Sequence, residues 1–278
     1  MSKQSKGGTA WGSAVAGVLT LAAAAAVYWY GIRDAGDDGS GAPTTAVTPG
    51  DAIATVDDGD PAVQYPVPPQ DTADEATLPS VDASDPPLLD ALHGLFGSEP
   101  VDSILIPDDL LRRLVVMADN LDKTPIDPRL RPVRPVPGRL VVEAQGDAVV
   151  LSRDNAQRYA PYVRALTAVD ADAVVDLYFH YYPLFQRAYE DLGYRDRYFN
   201  DRVVELIDHL LATPEPEGPV ALVRPRVLYE FADPSLEERS WGQKLLLRLG
   251  PEQEAIVKRR LSELRQAIVA RSAEVPAR

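Results

Sequence analysis

One predicted helix, from Arg197 to Leu211, carries the side chains that are best spaced for chemistry. Asp201, Glu205 and His209 follow one another at intervals of four residues, and Asp208 lies beside them. Four residues make about one helical turn, so these groups share one face, as ligands of a divalent metal ion would. The same face lies opposite the apolar residues of the helix, which favours a solvated polar surface. We therefore predict no metal site, no cofactor and no catalytic residue.

A second candidate is the proline-rich stretch 131–137, in which Arg131 and Arg134 stand three positions apart. Polyproline II helix has three residues per turn, so both guanidinium groups would project from one side, about 9 Å apart. Such a pair could hold carboxylates or phosphates through bidentate hydrogen bonds. In the alternative interpretation, which we favour, the stretch is a connector whose arginines pair with acidic groups of the same domain.

A third candidate is His180, which precedes Tyr181, Tyr182 and Pro183 inside a predicted helix over 172–192. Proline has no backbone N–H, so we expect a kink or break that frees a backbone carbonyl. His180 could serve as a general base, but a histidine among aromatic residues at helical spacing more often belongs to the packed core or its rim. The sequence has no phosphate-binding loop, nucleophile elbow or kinase motif set.

The composition excludes several classes of function. The 278 residues carry a net charge of −14, which disfavours nucleic acid and anionic lipid as partners of the whole chain. There is no cysteine, so disulfides, thiolate metal sites and cysteine nucleophiles are excluded. Neither the net charge nor the absence of cysteine indicates a particular enzymatic activity.

The N-terminal region predicts a membrane anchor. Residues 10–32 carry no charge, and 23 helical residues span roughly 34 Å, enough to cross a bilayer of about 30 Å. Lys3 and Lys6 precede this segment, and no Lys or Arg lies between Arg33 and Arg112. The positive-inside rule then places residues 1–9 in the cytoplasm and the rest in the periplasm. A cleaved signal peptide is the alternative, because small residues at 22–26 could be a cleavage site.

Residues 33–86 predict a disordered linker, because they are acidic, rich in proline and poor in large apolar residues. From residue 87 to 271 the charges are nearly balanced and apolar residues recur at helical spacing, which indicates one globular domain. Residues 272–278 are a short tail. The predicted fold class is mainly α (α+β), with one compact multi-helix domain.

The β structure is predicted to be small. Residues 139–142 and 148–151 flank a turn that contains Gly146, which is typical of a β-hairpin. Residues 220–231 are extended enough to join that hairpin. The remaining parts of the domain are predicted to be helices, and the last two of these are separated by Gly250 and Pro251.

Four strings in this domain occur in an order that resembles a bacterial family known as domain of unknown function 3014. They are Ile106–Leu110, Arg131–Gly138, Tyr198–Arg202 and Leu228–Pro234. The resemblance covers most of residues 86–270 and implies an envelope-associated protein of a Gram-negative bacterium. It implies no activity, cofactor or catalytic residue. We take Arg131 and Arg134, together with Asn200 and Asp201 of the third string, as a candidate ligand or partner surface.

These features lead to a first hypothesis, a membrane-anchored periplasmic interaction or scaffold protein. It is held in the inner membrane by residues 10–32, its partner is an envelope protein or a cell-wall component, and it does not bind nucleic acid. The alternative is a tethered periplasmic hydrolase that uses Asp201, Glu205 or Asp208. A ligand-binding sensor is a third hypothesis, and it requires an apolar cavity.

Overall fold

A computed structural model of the protein describes residues 63–70, 76–123 and 125–275. Within these residues the fold is mainly helical with one small antiparallel sheet, which confirms the predicted class at that level. The α-helices are α1 Asp85–Phe96, α2 Ser98–Ile104, α3 Leu110–Asn120, α4 Ala160–Thr167, α5 Ala171–His180, α6 Tyr182–Asp191, α7 Phe199–Leu211, α8 Pro234–Glu237, α9 Trp241–Leu249 and α10 Pro251–Ala273. Short 3-10 helices are Val81–Ala83, Pro128–Leu130 and Arg153–Arg158.

The sheet has four strands in the order β1-β2-β3-β4, all antiparallel. The strands are β1 Val142–Gln145, β2 Ala148–Leu151, β3 Ala221–Val223 and β4 Glu230–Phe231. Gln145 pairs with Ala148, so the predicted hairpin turns over two residues, and Gly146 adopts the positive φ of 61° that this turn needs. The predicted extended stretch 220–231 supplies β3 and β4.

The main core lies between the helices. The long helix α10 runs through it, with Val257, Leu261, Leu264 and Ile268 buried along one face. This face packs on α4, α5, α7 and α9, while α3 packs on α6 and α7. A smaller cluster of Leu222, Phe231, Leu236 and Leu247 attaches the sheet to α8 and α9.

The predicted break at Pro183 occurs. Helix α5 ends at His180, and α6 starts at Tyr182 with Pro183 in its first turn. An uninterrupted helix would pair the carbonyl of Phe179 with the N–H of residue 183, and proline has none. The two helices therefore meet at Tyr181, and the carbonyls at the end of α5 become available to other groups.

The folded part begins earlier than the predicted boundary at residue 87. Asp85, assigned to the linker by its sequence, accepts hydrogen bonds from the N–H groups of Asp109 (2.7 Å) and Leu110 (2.9 Å), and thus caps α3. Residues 63–70 of the predicted linker also contact the helices. At the other end α10 extends two residues into the predicted tail, to Ala273.

The predicted anchor, residues 10–32, lies outside the described residues. Among residues 63–70, 76–123 and 125–275, no helix is long and apolar enough to cross a membrane.

Two glycines in helices give a matched test of this packing. A Cβ on Gly242, in α9, would lie 2.7 Å from Cδ2 of Leu210 and 2.8 Å from the carbonyl oxygen of Leu121. Gly242→Ala should therefore lower the free energy of unfolding by about 1–3 kcal/mol through overpacking. A Cβ on Gly94, in α1, meets nothing within 4 Å, so Gly94→Ala should raise that free energy by about 0.5–1 kcal/mol. Urea denaturation of both variants measures the difference, and equal shifts would contradict the packing.

Candidate peptide-docking site

The first turn of α7 is held in place by the buried ring of Phe199. This ring stacks on Phe185 of α6, with the centroids 5.9 Å apart and 8° between the planes. The N–H of Phe199 donates to Oε1 of Gln186 (2.8 Å), so a side chain of α6 satisfies a donor that the helix itself leaves unpaired. Asn200 and Asp201 follow directly, and the packed turn fixes where their side chains point.

The carboxylate of Asp201 binds the main chain of residues 64 and 65. Its Oδ2 accepts a hydrogen bond from the N–H of Gln64 (3.0 Å), and its Oδ1 accepts one from the N–H of Tyr65 (2.8 Å). Hydrogen bonds to a charged acceptor are stronger than neutral ones, at about 1.5–3 kcal/mol each. Both bonds are to backbone N–H groups, so Asp201 recognises that main chain whatever the side chains are.

Two further side chains extend this contact along the same segment. Nδ2 of Asn200 donates to the carbonyl of Tyr65 (2.8 Å), and the hydroxyl of Tyr198 accepts from the N–H of Val67 (2.9 Å). Asn200 is fully buried, and the side chains of Tyr65 and Val67 pack against the main core. The segment is therefore held by main-chain hydrogen bonds on one side and by apolar contact on the other.

The far end of the segment fills the gap that Pro183 leaves. Nε2 of Gln70 donates to the carbonyl of Phe179 and to that of His180, the latter at 2.9 Å. These carbonyls form the C-terminal end of α5, where the helix dipole is negative and favours donors. The freed carbonyl that the sequence predicts is thus satisfied by a side chain from 109 residues earlier in the chain.

Tyrosines lie beneath this contact. The rings of Tyr182 and Tyr198 are 5.3 Å apart, and Tyr178 meets Tyr182 edge-on at 5.8 Å. Burial raises the pKa of Tyr178 well above its ordinary value, and nearby Tyr198 and Asp201 raise it further. The phenol of Tyr178 therefore stays neutral near pH 7, and a neutral phenol can donate or accept a hydrogen bond.

Residues 64–70 were not among the residues selected from the sequence, because they lie inside the predicted linker. The available signal is a gap in its acidic pattern, since no Asp or Glu occurs between Asp60 and Asp71, while Tyr65 and two valines do. Two of the four residues of the predicted surface, Asn200 and Asp201, lie at this contact.

The other two, Arg131 and Arg134, do not form the predicted strip. Arg131 is 3% exposed, donates to the carbonyl of Ile126 (2.9 Å from Nη2) and lies 5.3 Å from the ring centroid of Trp241. Arg134 is exposed and donates to the carbonyl of Asp102. The prediction that both project from one side is wrong.

The reason is that the backbone at Val133 is paired as an extended strand, in which side chains repeat every two residues, and not every three as in the predicted polyproline II helix. Val133 forms an antiparallel bridge with Leu105, and the N–H of Arg134 donates to the carbonyl of Ile104 (2.7 Å). In such extended pairing successive side chains alternate between faces, so residues three apart point to opposite sides. Arg131 therefore stabilises the domain internally, through the carbonyl of Ile126 and the ring of Trp241.

The acidic face of α7 does not form a metal centre or an acid–base pair. Asp208 pairs with Arg265 (3.0 Å between Oδ2 and Nη2), and Glu205, with 63% of its side chain exposed, lies 3.8 Å from Nη1 of Arg202. Asp201 faces residues 64 and 65, while His209 faces Ser240. Across the described residues, no group of three or more acidic or histidine side chains is placed to hold a metal ion.

His209 and Ser240 meet in an open polar pocket of about 550 Å³. Nε2 of His209 lies 2.7 Å from Oγ of Ser240, a distance found in nucleophilic serine sites. Ser240 also caps α9 by accepting from the N–H of Gln243 (3.3 Å). The N–H groups of Trp241 and Gly242 donate to backbone carbonyls of the loop after α3, so they cannot stabilise an oxyanion. The pair is therefore better explained as a helix cap.

The contact between Asp201 and residues 64–65 should depend on the charge of the Asp201 side chain. Asp201→Asn should weaken the contact with residues 64 and 65 by about 1.5–3 kcal/mol, because charge-assisted acceptors are lost. Deuterium exchange of the amides of Gln64 and Tyr65 should become about ten to one hundred times faster. Glu205→Gln, an equivalent change one turn later, serves as the control and should leave that exchange unchanged. Equal exchange in the two variants would contradict the contact.

The burial of His209 predicts that the stability of the protein depends on pH. Burial lowers the pKa of His209, so the unfolded chain binds a proton on this side chain at higher pH than the folded protein does. Its contribution to stability is present above the unfolded pKa of about 6.5 and is lost as the pH falls below that value. The melting temperature should therefore fall less in His209→Gln than in the wild type between pH 7 and pH 5. The same fall in both proteins would be the contrary result.

Comparison with known proteins identifies a family but no activity. The family model described as "Protein of unknown function (DUF3014)" matches residues 110–265, from the start of α3 into α10. No curated protein matches the chain, and no solved structure matches it. The matched region is more than half of the 278 residues and contains Asn200 and Asp201, whereas residues 64–70 precede it. The chain therefore belongs to the DUF3014 family of proteins of unknown function.

Proposed function

We propose that this protein is an interaction protein of the bacterial envelope, held in the inner membrane by residues 10–32, with its helical domain in the periplasm. The observation that carries the proposal is the docked segment. Asp201, Asn200 and Tyr198 bind the main chain of residues 64–67, so this domain has a surface that recognises an extended polypeptide. Docking of extended chains is a property of binding modules.

The arrangement of charged side chains supports an interaction role over catalysis. The hydrolase alternative needs Asp201, Glu205 or Asp208 to converge in a pocket. Instead each of them faces a different group, and Asp208 is neutralised by Arg265. The hydrolase alternative therefore gains no support from these residues.

The sensor alternative needs an apolar cavity of ligand size. An apolar cavity between Phe96, Val101 and Leu166 has a volume of about 20 Å³. That is about the space of one water molecule, whereas small-molecule sites have volumes of about 300–1,000 Å³. This cavity does not fit a ligand.

The proposed location rests on the uncharged length of residues 10–32 and on the lysines before it. In intact spheroplasts, a protease added outside should digest the domain of the full chain, and alkaline carbonate should leave the anchor fragment in the membrane. Detergent-opened spheroplasts are the control for total digestion. A domain protected until detergent is added, or a chain released by carbonate, would contradict the location.

The interaction is tested in the same cells with a photo-crosslinking amino acid. Placed at Glu205, one turn from Asp201 on α7, it should give discrete adducts with an envelope protein or a wall component. Placed at Val227, which is 44% exposed on the loop between β3 and β4, it should give different adducts or none. No adduct at either position would refute an interaction role.

A further inference from the structure

We propose that the face formed by Tyr198, Asn200, Asp201 and the end of α5 binds proline-rich peptides of other envelope proteins, and that residues 64–70 are an internal occupant which such a peptide displaces. This inference rests on the proposed interaction function and specifies the chemistry of the partner. The expected ligand is extended, rich in proline and basic at the position of Gln70.

The prolines of residues 64–70 occupy positions at which the face needs no backbone N–H group. Residues 66, 68 and 69 are proline and have no backbone N–H to donate. The face accepts N–H groups from Gln64, Tyr65 and Val67, and it takes a side chain rather than a backbone group from Gln70. Every proline thus stands where the face requires no N–H, so a proline-rich main chain loses no hydrogen bond here.

Proline also favours such binding through entropy. Its ring restricts φ to the extended polyproline II region, so a segment with three prolines in four positions loses little freedom when it docks. Aromatic rings are the usual receptors of such segments, and the half-buried Tyr198, which packs on the buried Tyr182, accepts the N–H of Val67 at this site. The site therefore has the two features of a proline-rich peptide receptor, namely aromatic rings and acceptors for the few remaining N–H groups.

The internal segment lies at the surface of the domain. None of residues 63–70 is buried, whereas Phe179, Tyr182 and Asn200 beneath them are. In the structure the segment pairs with no strand and belongs to no helix. Moving the segment off the face breaks the polar contacts and exposes the packed parts of Tyr65 and Val67 and the groups beneath them, but it removes no fully buried residue from the core.

The internal segment leaves several polar atoms at this face without a hydrogen-bond partner. Oδ1 of Asn200, the hydroxyl of Tyr178 and Oε1 of Gln70 are buried and have no hydrogen-bond partner within the part of the chain that the structure describes. Unpaired buried polar atoms weaken a contact, because each has lost its water. A ligand with a donor near Asn200 would therefore bind this face better than residues 64–70 do.

The unpaired oxygen of Gln70 indicates what should stand at that position. The amide nitrogen donates to the carbonyls of Phe179 and His180 at the negative end of α5, but the amide oxygen is buried without a hydrogen-bond partner in the described part of the chain. A lysine or arginine would bring donors and a positive charge, with no acceptor to leave unpaired. Asp201 adds a second negative group, and the cation beside Tyr65, Arg265, is paired with Asp208. The end of the face at Gln70 therefore favours a basic residue over an acidic one.

The test uses the full chain in detergent micelles and two fluorescent peptides. One peptide has the sequence of residues 63–70, and the other carries Gln70→Arg. The internal segment competes at a high effective concentration, so the protein variant Tyr65→Ala/Gln70→Ala should bind both peptides at least tenfold more tightly than wild type. The Arg peptide should bind about two to five times more tightly than the Gln peptide, the ratio expected for a cation at a helix C-terminus.

Matched variants locate the binding. Adding Asp201→Asn to the double variant should reduce the affinity at least tenfold, while adding Glu205→Gln should not change it. A scrambled peptide that binds equally well, or equal affinities for wild type and double variant, would overturn the proposal. A shift of the protein to a dimer would also overturn it, because the occupant would then be a second copy of this chain.

A second measurement covers the case in which the double variant does not fold. Adding the Arg peptide in excess to wild-type protein should speed deuterium exchange at the amides of Gln64 and Tyr65, because the peptide replaces their acceptor. No acceleration would overturn the proposal. Failure here, with crosslinks still found at Glu205, would leave the interaction function in place and reject only the proline-rich ligand.

Discussion

The geometry of the docking face depends on Pro183, which has no backbone N–H to donate. The absence of this N–H ends α5 at His180 and lets α6 start in a new direction at Tyr182. From α6, Phe185 and Gln186 then hold the first turn of α7 through a ring stack and a hydrogen bond to the N–H of Phe199. The same break frees the carbonyls that Gln70 occupies. Both ends of the docking face therefore follow from one residue.

The docking face binds the main chain of its occupant, and the charge of the groups that do so determines which segment can bind there. Asp201 and the carbonyl end of α5 both carry negative charge or partial charge, so an acidic segment would be repelled. The internal occupant lies between Asp60 and Asp71, where no residue is acidic, within a chain of net charge −14. Its tyrosine and valines add apolar contact that the neighbouring acidic residues cannot give. The absence of acidic side chains from this stretch thus fits a face that carries negative charge.

Much of the fold follows from local sequence, because helical spacing, glycine turns and proline act over a few residues. The hairpin at Gly146, the extended stretch 220–231 and the break at Pro183 were all predictable on that basis. The docking of residues 64–70 was not, because its partners lie more than one hundred residues away and each bond joins a side chain to the backbone. No side-chain pattern records such bonds. The position of Arg131 was mispredicted for a related reason, since the bridge between Leu105 and Val133 sets a period of two.

The central claim is that residues 64–70 rest on the first turn of α7 and can be moved off it. The chain has no cysteine, so spin labels at Val63→Cys and Glu205→Cys would attach nowhere else. Pulsed electron resonance on the full chain in lipid should give one narrow, short distance between the labels. Adding Asp201→Asn should broaden that distribution toward longer distances. A broad distribution that is the same with and without Asp201→Asn would contradict the account.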